Sequence, residues 1–580
     1  MAARQNPARP AGGTARRATP RIAYFSMEVG VESALHTYSG GLGVLAGDTL
    51  KAAADLALPV VGVTLVHREG YFRQSLDEDG RQTDAPDVWS PEERLREVPE
   101  RVTVEVAGRA VRVRAWEYEV RGQRGGVVPV YLLDTDLPEN DEEDRALTDR
   151  LYGGDDRYRL LQETVLGVAG PRLLAALGHR RIHTWHMNEG HSALVPVELL
   201  YARARGRKSE VPTAQDEAWV QGRCVFTTHT PVPAGHDRFE EALVEDVLGE
   251  EWTERLRGRG LEDGVLNMTR LALHFARFVN GVAMRHAQIS REMFPGREVA
   301  AITNGVHVPT WTCPPMGELF DRYVPSWRED PLNLRHACAI PLGALREARR
   351  AAKGRLIDAV RQRTGRELSL DVLTLGFARR ATPYKRADLL FEDRSRLLAL
   401  AKESGGLQVV YAGKAHPRDT GGQDLIRTIH RAGQELAGTV DVVYLENYDM
   451  ELGGLLTSGV DVWLNNPEKP KEASGTSGMK AALNGVPNLS VLDGWWIEGH
   501  VEGVTGWSIG GAWDERPDRA RAAGDIYARL ADDILPLYLA PDDRFDAIRR
   551  HAIALNGPHF SARRMMHQYV ERAYGPGGVL

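Results

Sequence analysis

Cysteine is scarce in this chain of 580 residues: Cys224, Cys313 and Cys338 stand far apart, with no CxxC pair. An odd count at that spacing excludes a disulfide framework and a cysteine-based zinc site, and the thiols read as reduced and mostly buried. Excess charge of one sign is missing too. The 73 Lys and Arg against 80 Asp and Glu leave a net charge of −7 with the signs interspersed, which excludes the basic field that nucleic-acid binding needs. No apolar run reaches membrane-spanning length, because the most apolar stretch, residues 42–66, is broken by Asp48, Lys51 and Asp55. The opening "MAARQNPARPAGGTARRATPR" is basic and rich in Pro, Gly and Ala, and no signal-peptide apolar region follows it. Residues 1–20 therefore read as a disordered tail, and the protein as cytoplasmic.

What the chain does contain is an ordinary globular balance, 42% hydrophobic and 26% charged, in a length too great for one core. Two domains are expected. From about residue 370, the runs "DVLTLGFA", "LQVVYAGKA", "VDVVYLEN", "VDVWLNN" and "VPNLSVLDG" alternate with longer polar–apolar segments. That alternation predicts parallel strands joined by crossover helices in a sheet covered on both faces, a Rossmann-like unit. The runs "RIAYFSME", "VVGVTLV", "VVPVYLLD" and "CVFTTH" predict a second α/β unit in the first half, with longer insertions. A Pro- and Trp-dense stretch, residues 305–340, reads as the connection between them. The basic helix after it, "ALREARRAAKGRLIDAVRQRTG", reads as a solvated amphipathic face.

Two glycine-rich turns, "YSGGLGVLAGD" (38–48) and "ASGTSGMK" (473–480), are candidate phosphate cradles, since glycine lets backbone N–H groups approach an anion at a helix start. Neither matches a Walker A loop or a dinucleotide fingerprint. On glycine alone, a tight strand-to-helix turn is the better reading of both. "GFARRATPYKRADLL" places Arg379, Arg380, Lys385 and Arg386 at the carboxyl end of a predicted strand, where open α/β folds collect ligands. Arg380 and Lys385 read as anion contacts; Arg386 reads equally well as a solvated arginine. The histidines of "GHRRIHTWHMNEGH" lack the HExxH spacing, and strand alternation sends His183 and His186 to opposite faces, so no metal site is predicted. His191 and His229, taken alone, read as core histidines. No pair of hydrolytic carboxylates is identifiable from the linear order.

At this point "EASGTSGMKAALNG" (472–485) strongly resembles the signature of the glycogen and α-glucan phosphorylases, and "SGGLGVLAGD", "MNEGHSALVPVELL", "FTTHTPVPAGHDRF", "TNGVHVPTW", "RRATPYKR", "YAGKAHP" and "LDGWWIEG" resemble the same family in the same order. The resemblance implies a glycosyltransferase-B (GT-B) architecture, two Rossmann-like domains (21–305 and 306–545) with an interdomain active-site cleft, and a closing helix (546–580) that crosses back to the first domain. It implies retaining phosphorolysis of terminal α-1,4-linked glucose by orthophosphate, giving α-glucose 1-phosphate. Lys480 would carry pyridoxal 5′-phosphate as a Schiff base, Thr476, Ser477 and Arg379 would hold the cofactor phosphate, and Tyr448 and Trp311 would flank it. Arg380 and Lys385, with the backbone of Gly41, would grip the substrate phosphate. Glu472, Ser474, Gly475, Asn304 and His229 would contact the glucosyl hydroxyls, with the His229 carbonyl facing the anomeric carbon and His191 in support. Two adjacent dianions need such cations, because their repulsion in a cleft of low dielectric costs several kcal/mol.

The chain also departs from the family's animal members, carrying Arg379 where they have lysine, "GTSGMK" where they have "GTGNMK", and Gly30 where they have a tyrosine near the cofactor. Its length resembles the short bacterial branch, so regulatory phosphorylation and nucleotide control are not carried over. The expected partners are glucan, orthophosphate and glucose 1-phosphate, without nucleic acid or membrane; a homodimer is the assembly the family often forms. A nucleotide-sugar glucosyltransferase such as a glycogen synthase shares the architecture and a GGLG turn, but has no need of Lys480 in this setting. A silent glucan-binding scaffold is disfavoured because Lys480, Arg380, Lys385 and Glu472 are all present.

Overall fold

The computed structural model describes residues 16–232 and 235–575. Two sheets organise it. The first runs Ala300–Ala301, Phe278–Gly281, Cys224–Thr227, Thr184–Asn188, Ile22–Ser26, Val60–Leu65 and Gly126–Asp134 in parallel, and then continues antiparallel through Arg109–Arg121 and Arg96–Glu97. The second is parallel throughout, in the order Val440–Leu445, Leu407–Ala412, Thr374–Ala378, Val462–Asn465, Asn488–Val491, Gly506–Ile509. Every apolar run named above forms one of these strands. Ile22–Ser26, Val60–Leu65, Thr374–Ala378 and Leu407–Ala412 are buried along their whole length, as parallel strands with helices on both faces must be.

Each sheet has its own apolar core, one around Phe25, Val63, Leu133 and Phe226, the other around Leu375, Val409, Leu464 and Trp507. The closing segment packs Met565, Met566, Tyr569 and Tyr574 against Tyr24, Leu50 and Val60 of the first unit. Its tyrosines meet the carboxyl ends of the first sheet's strands: Tyr574 Oη lies 2.9 Å from His186 Nδ1, and Asn280 Nδ2 donates to Tyr569 Oη at 3.1 Å. Arg564 on the same segment donates to the Thr303 and Asn304 carbonyls at 2.7 and 3.0 Å, fixing that stretch of backbone.

Two features were not foreseen. The hairpin Arg73–Leu76 and Gln82–Ala85 reaches from the first unit onto the strand ends of the second. There Gln74 Nε2 donates to the Gly413 carbonyl at 3.0 Å, and Gln82 brackets Ala415, donating to its carbonyl at 2.7 Å and accepting from its N–H at 3.0 Å. The basic helix Leu342–Thr364 is not wholly solvated, because Arg349 and Lys353 are buried. Lys353 pairs with Asp461 at 2.6 Å, and Arg349 donates to the carbonyls of Ser458, Val460 and Asn484. The cationic side chain spans the ends of two helices because unpaired carbonyls there need a donor. Of the expected tail, residues 1–15 lie outside the described residues, while Arg16–Arg17 pairs parallel to Gly126 and Val127. Among the described residues no helix is long and apolar enough to cross a membrane.

Arg349→Met removes three donated hydrogen bonds from buried carbonyls. It is expected to lower stability by about 2–3 kcal/mol, read as a fall in the urea midpoint.

Candidate functional site

The strand Thr374–Ala378 ends in the cationic turn, and the turn meets one carboxylate. Glu472 Oε2 takes Arg379 Nη2 at 2.7 Å and Lys385 Nζ at 2.5 Å, with all three side chains nearly buried. Burial pushes the Glu472 pKa up, but the two cations outweigh it and hold the carboxyl at about 2. The second nitrogen of the fork, Arg379 Nη1, is buried without a partner. Arg386 is neither a ligand contact nor solvated: it is buried and donates to the Asn466 and Pro467 carbonyls, both at 2.8 Å, steadying the chain that leads to Glu472.

Arg380 is the free cation of the turn, with no hydrogen bond or ion pair to any described residue. Its side chain is open to solvent in a recess walled by protein. Burial alone would lower its pKa, but Tyr384, Tyr71, Glu28 and Tyr152 around it turn the net shift upward. The recess is bounded by the first glycine turn, where a Cβ on Gly40 would sit 3.5 Å from Arg380 Cδ. Glu28 Oε2 accepts the N–H groups of Ser39 and Gly40 at 2.6 and 3.3 Å, and Tyr152 Oη donates to Glu28 Oε1 at 2.9 Å. The helix Gly41–Asp55 starts immediately after with no side-chain cap, and a Cβ on Gly41 would face open space. Uncapped N–H groups beside a guanidinium without a partner among the described residues are suited to an anion.

The second glycine turn builds the other half. Gly475, with φ at 87°, precedes the helix Thr476–Leu483, which again has no side-chain cap. Ser477 Oγ accepts from Trp463 Nε1 at 3.3 Å, while among the described residues Thr476 makes no side-chain hydrogen bond and buried Ser474 Oγ has no partner. Gly478 is required by packing: a Cβ there would lie 2.5 Å from Asn488 Oδ1 and 2.8 Å from the Trp495 ring. One turn further, Lys480 Nζ lies 3.5 Å from the centre of the Trp311 ring, with no hydrogen-bond or ion-pair partner among the described residues. Burial depresses its pKa to about 8, partly offset by Asp48. Asp48 itself accepts from Trp311 Nε1 at 2.8 and 3.0 Å. Tyr448 stands nearby with its hydroxyl pKa pushed up to about 12 by burial and Asp449, against Arg379.

His229 and Asn304 form a second group. His229 Nε2 donates to Asn188 Oδ1 at 2.7 Å, and its backbone N–H donates to Glu189 Oε2 at 2.7 Å. Burial, reinforced by His286, His186 and His191, holds the His229 pKa down near 3, so the imidazole is neutral. Asn304 is buried with Oδ1 unpartnered. No hydrogen bond joins this group directly to the cation turn; the link is Glu498, in the helix Trp496–Gly499 just after Asp493, which accepts from Thr303 Oγ1 at 2.7 Å and Met284 N at 2.9 Å. The other histidines disperse. His191 lies 3.3 Å from Asp237, and buried His186 joins Tyr574 and Thr227.

Sequence reasoning missed Glu28, Asp48, Glu189, Asn484 and Asp493. Asp493 Oδ2 accepts the Glu472 N–H at 2.9 Å, and burial with the neighbouring Glu472 charge pushes its pKa to about 7. Asn484 donates to the carbonyls of Lys480 and Trp311, both at 2.8 Å. Each sits inside a quoted segment, but its partner is remote in sequence. At Gly30, where a tyrosine was noted as missing, a Cβ would already lie 3.1 Å from the Tyr38 ring.

The family model for carbohydrate phosphorylase matches residues 28–148 and 255–505. The chain is 38% identical to the glycogen phosphorylase of Mycobacterium tuberculosis, over 97% of this chain and 72% of that one. It is 37% identical to the maltodextrin phosphorylase of Thermococcus litoralis, over 95% of this chain and 70% of that one. It is 34% identical to the glycogen phosphorylase of Aquifex aeolicus, over 95% of this chain and 86% of that one.

The depressed Lys480 amine gives a test. In cofactor-free protein, acylation of Lys480 followed by peptide mass analysis is expected to rise with pH about a midpoint near 8, as the neutral amine forms. Exposed lysines should follow a midpoint near about 10.4.

Proposed function

The chain belongs to the carbohydrate phosphorylase family and is an α-glucan phosphorylase; we propose that it works in a cleft between two Rossmann-like units of GT-B architecture. The reaction is phosphorolysis of a glucan, and we assign it the terminal α-1,4-linked glucose, released by orthophosphate as α-glucose 1-phosphate with retention. Glucan, orthophosphate and glucose 1-phosphate are its partners, and the cytoplasm its compartment. The observation that carries the assignment is the pairing of a partnerless, depressed lysine, Lys480, with a partnerless arginine, Arg380, each beside an uncapped glycine-started helix.

The residues fit pyridoxal 5′-phosphate on their own chemistry. Lys480 offers a buried amine that loses its proton more readily than an ordinary lysine, Trp311 a flat face, and the start of the helix Thr476–Leu483 free N–H groups with Thr476, Ser477 and the orphaned Arg379 Nη1 around them. When bound, pyridoxal 5′-phosphate supplies a phosphate that assists proton transfer through the substrate phosphate. Lys480 would anchor the ring, Trp311 and Tyr448 would lie beside it, and Arg379 would balance its phosphate charge.

Substrate phosphate falls to Arg380, Lys385 and the Gly41 N–H. Lys385 is held by Glu472 until the anion arrives, whereas Arg380 needs no release. Ser474 Oγ and Asn304 Oδ1, both buried without partners, are suited to glucosyl hydroxyls, joined by Glu472, Gly475 and His229, because a buried polar atom left unpaired is costly. The His229 carbonyl meets positive charge developing at the anomeric carbon. A neutral imidazole matters there: a cationic ring about 4 Å from that charge would oppose it by about 4 kcal/mol at an effective dielectric of 20.

Incubation with maltooligosaccharides and orthophosphate is expected to yield glucose 1-phosphate; activity with a nucleotide sugar alone would replace this reading by a synthase. Borohydride reduction and peptide mapping are expected to find one cofactor per chain at Lys480. Arg380→Ala should raise the KM for phosphate about 10- to 100-fold, the loss of one charge-assisted contact, at unchanged cofactor content. Loss of cofactor with unchanged phosphate KM would show the two phosphate positions to be exchanged.

A further inference from the structure

Glu189 stands in a backbone conformation nearly confined to glycine. Its φ is 74° and ψ 168°, between the strand Thr184–Asn188 and the turn Gly190–Ser192. A carboxylate in such a place is doubly unfavourable, because it is also buried, 6% exposed, and pairs with no cation among the described residues. Its ligands are neutral donors only. Oε2 accepts the His229 N–H at 2.7 Å and the Thr230 hydroxyl at 3.0 Å, and Oε1 accepts the Gly190 N–H at 3.1 Å.

That pattern has a geometric consequence. The carbonyl of His229 belongs to the peptide joining His229 to Thr230, and both residues flanking it are tied to one oxygen of Glu189. The preceding residue completes the hold: Asn188 Oδ1 accepts from the His229 ring at 2.7 Å, while Asn188 Nδ2 donates to Ser26 Oγ at 3.1 Å. Thr227, on the neighbouring strand, receives the Glu189 N–H at its carbonyl at 2.9 Å, so the strained residue cannot relax away. Backbone strain of this kind persists only where surrounding contacts over-determine it, and it gathers where geometry serves function.

We propose that Glu189 is a positioning residue for phosphorolysis, its strained carboxylate aiming the His229 carbonyl at the anomeric carbon. The inference rests on the phosphorylase reading above and on the place of His229 within it. Strain keeps the carboxylate beneath the His229–Thr230 peptide, where an unstrained backbone would carry the side chain elsewhere.

The test compares Glu189→Ala, Glu189→Gly and Glu189→Gln holoenzymes with wild type. Alanine removes the carboxylate and keeps the strain; glycine removes both. Both variants are expected to lose about 100-fold in kcat, the order of effect of an ångström-scale misplacement, with phosphate KM within about twofold and cofactor content unchanged. The glycine variant should melt above the alanine variant while sharing its kcat, a separation that a scaffolding role does not produce. Glu189→Gln, which keeps one acceptor oxygen, should recover part of the lost kcat. The proposal is overturned if kcat is unchanged in Ala and Gly, if kcat follows melting temperature across the series, if Gln is no better than Ala, or if the loss lies only in phosphate KM. Should alanine fail to fold, the glycine variant, free of strain, carries the kcat comparison. Wild type that releases no glucose 1-phosphate would overturn the phosphorylase reading and this inference together; active wild type with unaffected variants overturns the inference alone.

Discussion

Glu472 is the constraint on which the site depends. Its one oxygen holds Arg379 and Lys385, two cations that the same short turn brings to the end of one strand. Without it they would repel by about 4 kcal/mol at 4 Å and an effective dielectric of 20, and removing one member of such a buried group typically costs about 3–5 kcal/mol. The carboxylate is fixed from behind, since Asp493 takes the Glu472 N–H and Arg386 clamps the chain at Asn466 and Pro467. With the cations already gathered at the strand end, the reorganisation an entering anion requires is limited to the release of Lys385 from Glu472, which favours electrostatic stabilisation.

The same separation of charge explains Lys480. Burial lowers the amine's pKa further than the Asp48 charge, whose oxygens accept from the Trp311 indole, raises it, and Glu472 is occupied by its two cations. Desolvation therefore wins, and the amine is depressed. Asn484 ties the backbone of Lys480 to that of Trp311, so amine and indole keep their spacing. Arg349 in turn donates to the Asn484 carbonyl, which connects the long basic helix to the lysine.

Much of the fold was legible because parallel strands buried on both faces write themselves as continuous apolar runs, and "LQVVYAG" could hardly be read otherwise. Arg109–Arg121 was not, since an antiparallel strand with one solvated face alternates polar arginines with buried valines and resembles a polar loop. The buried Arg349 and Arg386 were misread for a related reason: an arginine that satisfies carbonyl groups looks, in sequence, like one that faces water. At the site, glycine turns and strand-end cations were visible as types, and the family resemblance alone supplied the role proposed for Lys480. Glu189 and Asp493 were invisible, because their importance lies in partners about 40 and 21 positions away and, for Glu189, in a dihedral angle that composition does not encode.

The central claim is that Glu472 holds Lys385 ready for substrate phosphate and yields it when the anion arrives. Orthophosphate binding to the glucan-free holoenzyme, measured by calorimetry for wild type and Glu472→Gln, tests this most directly. Removing the competing negative charge is predicted to tighten phosphate binding, by roughly 10-fold for about 1.4 kcal/mol of relieved competition. Weaker or unchanged binding in Glu472→Gln would contradict the account.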